Sequence, residues 1–282
     1  MKVVVVNKAG FCFGVKRAIE QAFEIAGAER DVFTLGPLIH NPQVINALKK
    51  EGVDAAASID ELGRRGARTV IIRTHGVTRE EMERLAEGRY RIIDLTCPFV
   101  KKAQHYAKLL SEEGYQVIIL GDIEHPEVKG LRSYAGENAA VVKTSEDLAD
   151  IKPKTGIVVQ TTQPVESLKR LVAGIIEHTK ELKVYNTICS STAQRLKETE
   201  EVARAVDAML VVGGKNSANT TQLAKLCESL SVPTYHIETA GEIRPEWFRG
   251  VRKMGLTAGA STPEWIIKDV EKALKDMGGC RK

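Results

Sequence analysis

The chain has 282 residues, of which 43% are hydrophobic, and it carries a formal net charge of +4. This length suits two or three small domains, and this hydrophobic share is enough for a core that does not need a metal in order to fold. The charge is small, and acidic and basic residues alternate along the predicted helices, which argues against a nucleic-acid-binding surface.

The N-terminal region begins with a short apolar run, Val3 to Val6, followed by Asn7 and Lys8. A signal peptide needs roughly 7–15 consecutive apolar residues and a membrane span roughly 18 or more. We therefore expect a cytoplasmic protein with no membrane partner. In that compartment the five cysteines are expected to be thiols or metal ligands instead of disulfides.

Short runs of Val, Ile and Leu recur along the chain, each followed by turn residues and a helical pattern. Most runs are continuous, which is typical of parallel strands covered on both faces. Thr78 and Glu81 form a capping box that predicts one helix start, and Pro164 and Pro263 fit the first turns of two others. This alternation predicts an α/β fold with mostly parallel sheets. The predicted strands are Val3–Val6, Val32–Leu35, Thr69–Arg73, Arg91–Leu95, Gln116–Leu120, Ala140–Lys143, Gly156–Gln160, Lys183–Asn186, Met209–Val212, Thr234–Ile237 and Lys253–Thr257.

Three cysteines, Cys12, Cys97 and Cys189, open three successive thirds of the chain, and each follows a predicted strand. In open α/β sheets, ligands bind outside the carboxyl ends of the strands. The pattern therefore predicts a threefold repeat, in which each repeat contributes one thiolate and several polar groups to a shared centre. The polar residues 28 positions after the cysteines are His40, His125 and Ser217, and a second step leads to His75, Thr161 and Ser261.

The setting of these three cysteines favours a metal centre. Each lies at a strand end before a helix start, where backbone amides favour a thiolate. Zinc sites commonly contain a C-x-x-C pair, which this chain lacks, whereas widely spaced single cysteines suit a [4Fe–4S] cluster. Three ligands leave one iron open to act as a Lewis acid. Cys227 lies in an apolar helix stripe and is expected in the core, and Cys280 belongs to the C-terminal tail.

The histidines and serines at the strand ends predict an anion-binding pocket. His40, His75 and His125, with the hydroxyl groups of Ser217 and Ser261, would form a ring of hydrogen-bond donors suited to phosphate. Ser217 and Asn219 lie in a glycine-rich turn from a strand to a helix, which suits an anion although it does not match the P-loop motif.

Taken together, these segments resemble the LytB (IspH) family of 4-hydroxy-3-methylbut-2-enyl diphosphate reductases. The resemblance runs in order from about residue 1 to residue 270. The motifs are Ala-Gly-Phe-Cys12-Phe-Gly-Val-Lys-Arg-Ala, Gly-Pro-Leu-Ile-His40-Asn-Pro-Gln, Thr-His75-Gly-Val, Asp-Leu-Thr-Cys97-Pro-Phe-Val, His125-Pro-Glu127, Gln-Thr161-Thr162-Gln, Asn-Thr-Ile-Cys189, Lys-Asn-Ser217-Ala-Asn219-Thr and Ala-Gly-Ala-Ser261-Thr-Pro-Glu-Trp.

The resemblance implies the last step of the non-mevalonate isoprenoid pathway. There, (E)-4-hydroxy-3-methylbut-2-enyl diphosphate is reductively dehydroxylated to isopentenyl and dimethylallyl diphosphates. It implies one [4Fe–4S] cluster per subunit with three cysteine ligands and one open iron, and a ferredoxin- or flavodoxin-type electron donor. It also implies three α/β domains in a pseudo-threefold arrangement around the cluster. Their expected boundaries are 14–96, 97–189, and 1–13 together with 190–282.

The resemblance also implies a role for each matching residue. Glu127 corresponds to the proton donor, and Thr161 to a hydroxyl that contacts the substrate and assists catalysis. Many family members carry Ser-Ser-Asn where this chain has Ser217-Ala218-Asn219, so a contact at position 218 can come only from the backbone. The implied cluster ligands are Cys12, Cys97 and Cys189, and the implied diphosphate-binding residues are His40, His75, His125, Ser217, Ala218, Asn219 and Ser261.

Two alternatives stay open. One is a redox-neutral dehydratase that uses the open iron only as a Lewis acid, and a requirement for reductant would distinguish the two enzymes. The other is a cluster-based redox sensor, which has no need for a ring of anion-binding groups.

Overall fold

A computed structural model describes residues 1–136 and 139–279 of the chain. Cys280 therefore lies outside the described residues. In chain order, the strands are β1 Lys2–Val5, β2 Val32–Leu35, β3 Val53–Ala56, β4 Thr69–Ile72, β5 Arg91–Asp94, β6 Gln116–Leu120, β7 Ala140–Val142, β8 Lys154–Val159, β9 Glu181–Val184, β10 Ala208–Val212, β11 Thr234–Ile237 and β12 Lys253–Ala258.

Ten α-helices are seen in the described part of the chain. The capping box of Thr78 and Glu81 is present at the start of the fourth helix, as the sequence predicts. The helices are α1 Phe13–Ala28, α2 Pro42–Lys50, α3 Ile59–Arg64, α4 Arg79–Glu87, α5 Pro98–Glu112, α6 Pro126–Ala135, α7 Val165–Ile175, α8 Ser190–Ala203, α9 Ala218–Ser229 and α10 Glu264–Gly279. Among the described residues, no helix is both long enough and apolar enough to span a membrane.

The chain divides into two compact units. The first unit comprises Met1–Val15, His40–Val44 and Ser190–Lys282, and the second comprises Lys16–Ile39 and Ile45–Cys189. The first unit contains one four-stranded sheet with the strand order β1-β12-β10-β11. The second contains two sheets, with the orders β3-β2-β4-β5 and β7-β6-β8-β9.

All strand pairs within these sheets are parallel, and the three sheets share one plan. In each, the first strand of the repeat (β2, β6 or β10) lies between the second (β3, β7 or β11) and the third (β4, β8 or β12). The fourth strand (β5, β9 or β1) forms the opposite edge. The prediction of an α/β fold with three similar parallel sheets is therefore confirmed.

The middle strands are buried on both faces, as their continuous apolar runs predict. Val117 and Ile119 of β6 pack in one cluster with residues of α5 and α6. Their neighbours Ile118 and Leu120 pack on the opposite face with residues of α7. Rigid strands of this kind hold the loops at their carboxyl ends in fixed positions.

The structure differs from the sequence prediction in one whole strand and in the ends of several others. Strand β3, Val53–Ala56, was not predicted; its sequence Val-Asp-Ala-Ala has a weak strand pattern, and it pairs with β2 at the edge of its sheet. Strands β8 and β9 each begin two residues before the predicted start, at Lys154 and Glu181. The segment Ser145–Asp147 forms a short 3-10 helix.

Candidate functional site

Each of the three cysteines predicted as metal ligands lies in the loop after the fourth strand of its repeat. Its backbone N–H donates a hydrogen bond to a carbonyl in the loop that follows the third strand of the same sheet. The three cysteines therefore occupy equivalent positions in equivalent sheets. The donor–acceptor pairs are Cys12–Ala260 at 3.3 Å, Cys97–Thr74 at 3.0 Å and Cys189–Thr161 at 2.9 Å.

These cysteines also lie at helix N-termini. Cys97 is the N-cap residue of α5, Cys12 precedes Phe13 at the start of α1, and Cys189 precedes Ser190 at the start of α8. The positive end of a helix dipole stabilises a thiolate, which is the form that binds iron. Three soft donors in this setting fit the chemistry of an iron–sulfur cluster.

Cys227 lies in a different environment. Its thiol is fully buried in the cluster that contains Met209, Val211 and Leu223. Burial raises the pKa of Cys227 to about 12, so the thiol stays protonated at neutral pH. Its position is that of a core residue, as the sequence predicts.

The first unit gathers hydroxyl groups beside the turn after β10. Ser217 is the N-cap residue of α9, and its hydroxyl accepts a hydrogen bond from the N–H of Thr220 at 3.4 Å. The Ser261 hydroxyl lies 3.5 Å from the Ser217 hydroxyl and donates to the carbonyl of His40 at 3.3 Å. The two predicted serines are thus neighbours, beside the backbone of His40.

This arrangement depends on a glycine. A Cβ atom at Gly214 would lie 2.3 Å from the carbonyl oxygen of His40, which is shorter than any side chain tolerates. The segment that carries His40 can therefore approach the Gly213-Gly214 turn only because position 214 lacks a side chain. Ala218 follows as the first residue of α9, where backbone N–H groups have no intrahelical acceptor.

Asn219 is buried in the first turn of α9, and its amide has a defined orientation. The side-chain oxygen Oδ1 accepts hydrogen bonds from the N–H of Ala260 at 2.9 Å and from the guanidinium of Arg195 at 3.3 Å. Two donors on one atom identify it as the oxygen, so the nitrogen Nδ2 is available as a donor. In the described part of the chain, Nδ2 is buried without a hydrogen-bond partner.

Arg195 was not predicted from the sequence as a site residue. The buried positions of α8 are Thr192, Arg195, Thr199 and Ala203, and their spacing of three and four residues places the arginine on the core-facing side. An arginine at a core position in an amphipathic pattern is the signal that could have revealed it, because a buried charge requires polar partners.

The second unit contains a buried carboxyl group whose pKa is raised. Glu127, in the first turn of α6, is only 2% exposed. Its Oε1 accepts the N–H of Thr161 at 2.6 Å, and its Oε2 accepts the Thr161 hydroxyl at 2.9 Å. Burial raises the pKa of Glu127 to about 7, although both hydrogen bonds from Thr161 act in the opposite direction. At neutral pH this carboxyl group can both give and accept a proton.

The same turn determines the tautomer of the His125 imidazole ring. His125 is the N-cap residue of α6, and its Nδ1 accepts the N–H of Glu127 at 3.2 Å. Because Nδ1 is the acceptor, the proton of the neutral ring is on Nε2, which is then a hydrogen-bond donor. The ring of His75 meets that of His125 edge to face, with a distance of 5.4 Å between ring centroids. The two predicted histidines of the second unit are therefore adjacent.

The structure thus divides the predicted site residues between its two units. Each unit combines at least one cysteine with hydrogen-bond donors at the carboxyl ends of its strands. The first unit contains Cys12, His40, Ser217, Ala218, Asn219 and Ser261, and the second contains His75, Cys97, His125, Glu127, Thr161 and Cys189.

Comparison with known proteins identifies relatives along almost the whole chain. Residues 3–275 match the model of a family described as LytB protein. A protein from Pelobacter propionicus named 4-hydroxy-3-methylbut-2-enyl diphosphate reductase is 50% identical over 272 residues, covering 96% of each chain. A protein of the same name from Geobacter sulfurreducens is 47% identical over 284 residues, covering 100% of each chain.

Two solved structures are similar as well. One, described as (E)-4-hydroxy-3-methyl-but-2-enyl diphosphate reductase, the terminal enzyme of the non-mevalonate pathway, is 43% identical with a TM-score of 0.69. The match covers 98% of this chain and 100% of that one. The other, a reductase from Plasmodium falciparum described as acting on E-1-hydroxy-2-methyl-but-2-enyl-4-diphosphate, is 25% identical with a TM-score of 0.90. That match covers 97% of this chain and 88% of the other.

Proposed function

The chain belongs to the LytB protein family, and we infer that it is a 4-hydroxy-3-methylbut-2-enyl diphosphate reductase, the terminal enzyme of the non-mevalonate isoprenoid pathway. It reductively removes the allylic hydroxyl group of its substrate, and the products are isopentenyl and dimethylallyl diphosphates. The net reaction consumes two electrons and two protons and releases the hydroxyl group as water. The structural observation that carries this function is the buried Glu127 carboxyl group, whose raised pKa suits a proton donor.

For the cofactor we propose one [4Fe–4S] cluster per subunit, held by the thiolates of Cys12, Cys97 and Cys189. Support comes from their equivalent positions at three strand ends and from the helix N-termini beside them. When bound, a cluster with three protein ligands supplies single electrons and one iron that can act as a Lewis acid.

We propose that the diphosphate is bound by the donors that the sequence predicts. In the first unit these are the hydroxyl groups of Ser217 and Ser261, the Nδ2 of Asn219 and the N-terminal amides of α9, beginning with Ala218, together with His40. In the second unit they are His75 and His125, and the proton of the neutral His125 ring is on Nε2. Binding of this distal group supplies free energy that orients the reacting carbon.

Glu127 is proposed to deliver the proton that converts the departing hydroxyl group to water. A hydroxide ion is a poor leaving group, so protonation at that oxygen lowers the barrier to C–O cleavage. The Thr161 hydroxyl lies 2.9 Å from Glu127 Oε2. When Glu127 is protonated, this hydroxyl is placed to accept its proton and to pass its own to the departing hydroxyl group. After transfer, the backbone N–H of Thr161 stabilises the carboxylate through Oε1.

Three further properties belong to this proposal. The electrons come from a ferredoxin- or flavodoxin-type protein, and the small net positive charge of +4 favours an acidic partner of this kind. The protein works in the cytoplasm, where thiols stay reduced and available as ligands. The chain forms three domains, 14–96, 97–189, and 1–13 with 190–282; the common strand order of the three sheets supports this division.

Anaerobic reconstitution with iron and sulfide, followed by an assay with and without a chemical reductant, tests the function. We expect about four irons and four sulfides per chain and formation of both diphosphate products only with reductant. Turnover without reductant would instead identify a redox-neutral dehydratase. A holo-protein that bound no diphosphate would contradict both enzymes and favour a redox sensor.

A further inference from the structure

Among the described residues of the first unit, Arg195 is the most deeply buried charged side chain that the proposed reaction does not use. It lies on the core-facing side of α8 and is only 2% exposed. Removing a guanidinium group from water is costly unless it is well hydrogen-bonded. The hydrogen-bond partners of Arg195 therefore indicate which parts of the structure the buried guanidinium stabilises.

Two of these contacts hold the loop that leads to Cys12. The Nε of Arg195 donates to the carbonyl of Lys8 at 2.7 Å, and Nη2 donates to the carbonyl of Gly10 at 2.8 Å. Gly10 has a φ of +95°, a conformation that side-chain-bearing residues rarely adopt. The rigid guanidinium fork thus fixes a left-handed turn two residues before a proposed cluster ligand.

The third contact joins this loop to the anion-binding donors. The Nη1 of Arg195 donates to Oδ1 of Asn219 at 3.3 Å, and the N–H of Ala260 donates to the same oxygen at 2.9 Å. The carbonyl of Ala260 in turn accepts the N–H of Cys12. Arg195, Asn219, Ala260 and the loop of Cys12 form one continuous hydrogen-bonded network.

A related contact occurs in the second unit. Arg17 of α1 donates from Nη2 to the carbonyl of Thr96, the residue before Cys97, at 3.1 Å. In two of the three sheets, an arginine on a neighbouring helix therefore binds the loop before the cysteine. Arg195 differs because it also donates to a side chain of the anion site.

We propose that Arg195 is a positioning residue that holds the Asn219 amide with its oxygen inward, so that Nδ2 is presented as a donor to the diphosphate of the substrate. An asparagine amide can rotate by half a turn at little steric cost, and the rotated form would present an oxygen that repels phosphate. Arg195 adds to the N–H of Ala260 in disfavouring the rotated form, because both donors would then face the amide nitrogen. This inference rests on the proposed function, since it concerns the same diphosphate site.

The test compares the affinity of holo-enzyme variants for inorganic pyrophosphate, measured anaerobically by titration calorimetry. Arg195→Met removes the guanidinium and should weaken binding by about 10-fold to 100-fold, the range for a lost hydrogen bond involving a charged group. Arg195→Lys keeps the charge and should recover part of the loss. Thr199→Val is the matched control; it alters a buried polar pair with Thr257 on the same face of α8 and should bind pyrophosphate normally.

A double-mutant cycle separates positioning from a general loss of stability. If Arg195 acts through Asn219, Arg195→Met with Asn219→Ala should bind pyrophosphate no more weakly than Asn219→Ala alone. Fully additive losses would overturn the inference, and so would unchanged affinity in a folded Arg195→Met protein.

Asn219→Asp provides a test that does not disturb Arg195. The carboxylate keeps an acceptor for Arg195 and Ala260, so the melting temperature should stay close to that of the wild type, while the Nδ2 donor is lost. We expect pyrophosphate binding to be lost, and normal binding would show that Nδ2 is not the donor. Absence of pyrophosphate binding by the wild-type holo-enzyme would instead contradict the proposed function itself.

Discussion

Thr161 donates one hydrogen bond to each oxygen of the Glu127 carboxyl group, from its N–H to Oε1 at 2.6 Å and from its hydroxyl to Oε2 at 2.9 Å. The two residues follow neighbouring strands, β8 and β6, of one sheet. Parallel pairing of these strands therefore brings together two side chains that are 34 residues apart in sequence. This contact fixes the carboxyl group in a buried position, where its pKa is raised to about 7.

Replacement of Glu127 by glutamine is expected to stop proton delivery while leaving binding intact. Glutamine keeps the shape of the side chain and an oxygen that can accept a bond from Thr161, so cluster content and pyrophosphate affinity should be unchanged. Turnover should fall by at least roughly 100-fold, as expected for the loss of a positioned acid. Glu124→Gln, an exposed residue of the preceding turn that pairs with Lys129, serves as the control. Near-normal turnover of Glu127→Gln with an intact cluster would show that the proton has another source.

The raised pKa of Glu127 also predicts how stability changes with pH. The ordinary pKa of a glutamate is 4.5, and in the folded protein the pKa of Glu127 is about 7. Between these two pH values, Glu127 keeps its proton in the folded state and has lost it in the unfolded state. The contribution of Glu127 to the free energy of unfolding should therefore be complete below pH 4.5 and decrease by up to about 1.4 kcal/mol per pH unit as the pH rises. Urea denaturation of the wild type and of Glu127→Gln under anaerobic conditions measures the difference. Parallel pH profiles for the two proteins would contradict the raised pKa.

The sequence predicts most of the fold, because the middle strands are continuous apolar runs. Such a run by itself indicates a parallel strand that is buried on both faces. It does not predict β3, since Val53-Asp54-Ala55-Ala56 has little strand preference and depends on pairing with β2. The positions of the cysteines and polar residues at strand ends follow from the repeat alone. The sequence pattern predicts the three cysteines as cluster ligands and the histidines and serines as anion-binding groups. The role of Glu127 as the proton donor comes from the family resemblance, and all of these roles stay predictions.

The role of Arg195 could not be predicted in the same way. Its acceptors are the carbonyls of Lys8 and Gly10 and the side chain of Asn219, which are separated from it by 187, 185 and 24 residues. No local pattern encodes contacts over such distances. The helical pattern can place Arg195 on the core-facing side of α8, but only the folded chain shows which groups it binds.

The ligand proposal predicts a sharp division among the cysteines. Cys12→Ser, Cys97→Ser and Cys189→Ser should each lose the cluster absorbance and the activity, because serine is a poor ligand for iron–sulfur centres. Cys227→Ala should keep both, at a cost in stability of about 1 kcal/mol for a small buried group. Cys280→Ala, at a position outside the described residues, is expected to keep both as well. Loss of the cluster in Cys227→Ala and its retention in Cys97→Ser would overturn the assignment.

An open iron also predicts sensitivity to air. With only three protein ligands, the fourth iron is accessible to oxygen, so the cluster absorbance of the holo-protein should decay on exposure to air. Spectra recorded after aeration, alongside iron counts, measure this loss. A cluster that stayed intact in air indefinitely would argue for a fourth protein ligand.

A substitution in the turn after β10, Gly214→Ala, tests the anion site without removing any hydrogen-bonding group. In Gly214→Ala, the added Cβ would lie 2.3 Å from the His40 carbonyl oxygen, so one of the two backbones must move. Movement there would separate the Ser261 hydroxyl from the His40 carbonyl and displace the N-terminus of α9, which carries Ser217. We therefore expect at least about tenfold weaker pyrophosphate binding, comparable to the loss of one hydrogen bond to a charged group.

Gly241→Ala is the matched control for this substitution. A Cβ at Gly241 would meet only the Thr239 hydroxyl, at an ordinary contact distance of 3.8 Å. This variant should bind pyrophosphate with wild-type affinity, so a general effect of replacing glycine by alanine in this unit can be subtracted. Equal affinities of the two variants would show that the close approach at Gly214 does not shape the anion site. A loss confined to Gly214→Ala, with the cluster intact, would tie diphosphate binding to the geometry of this turn.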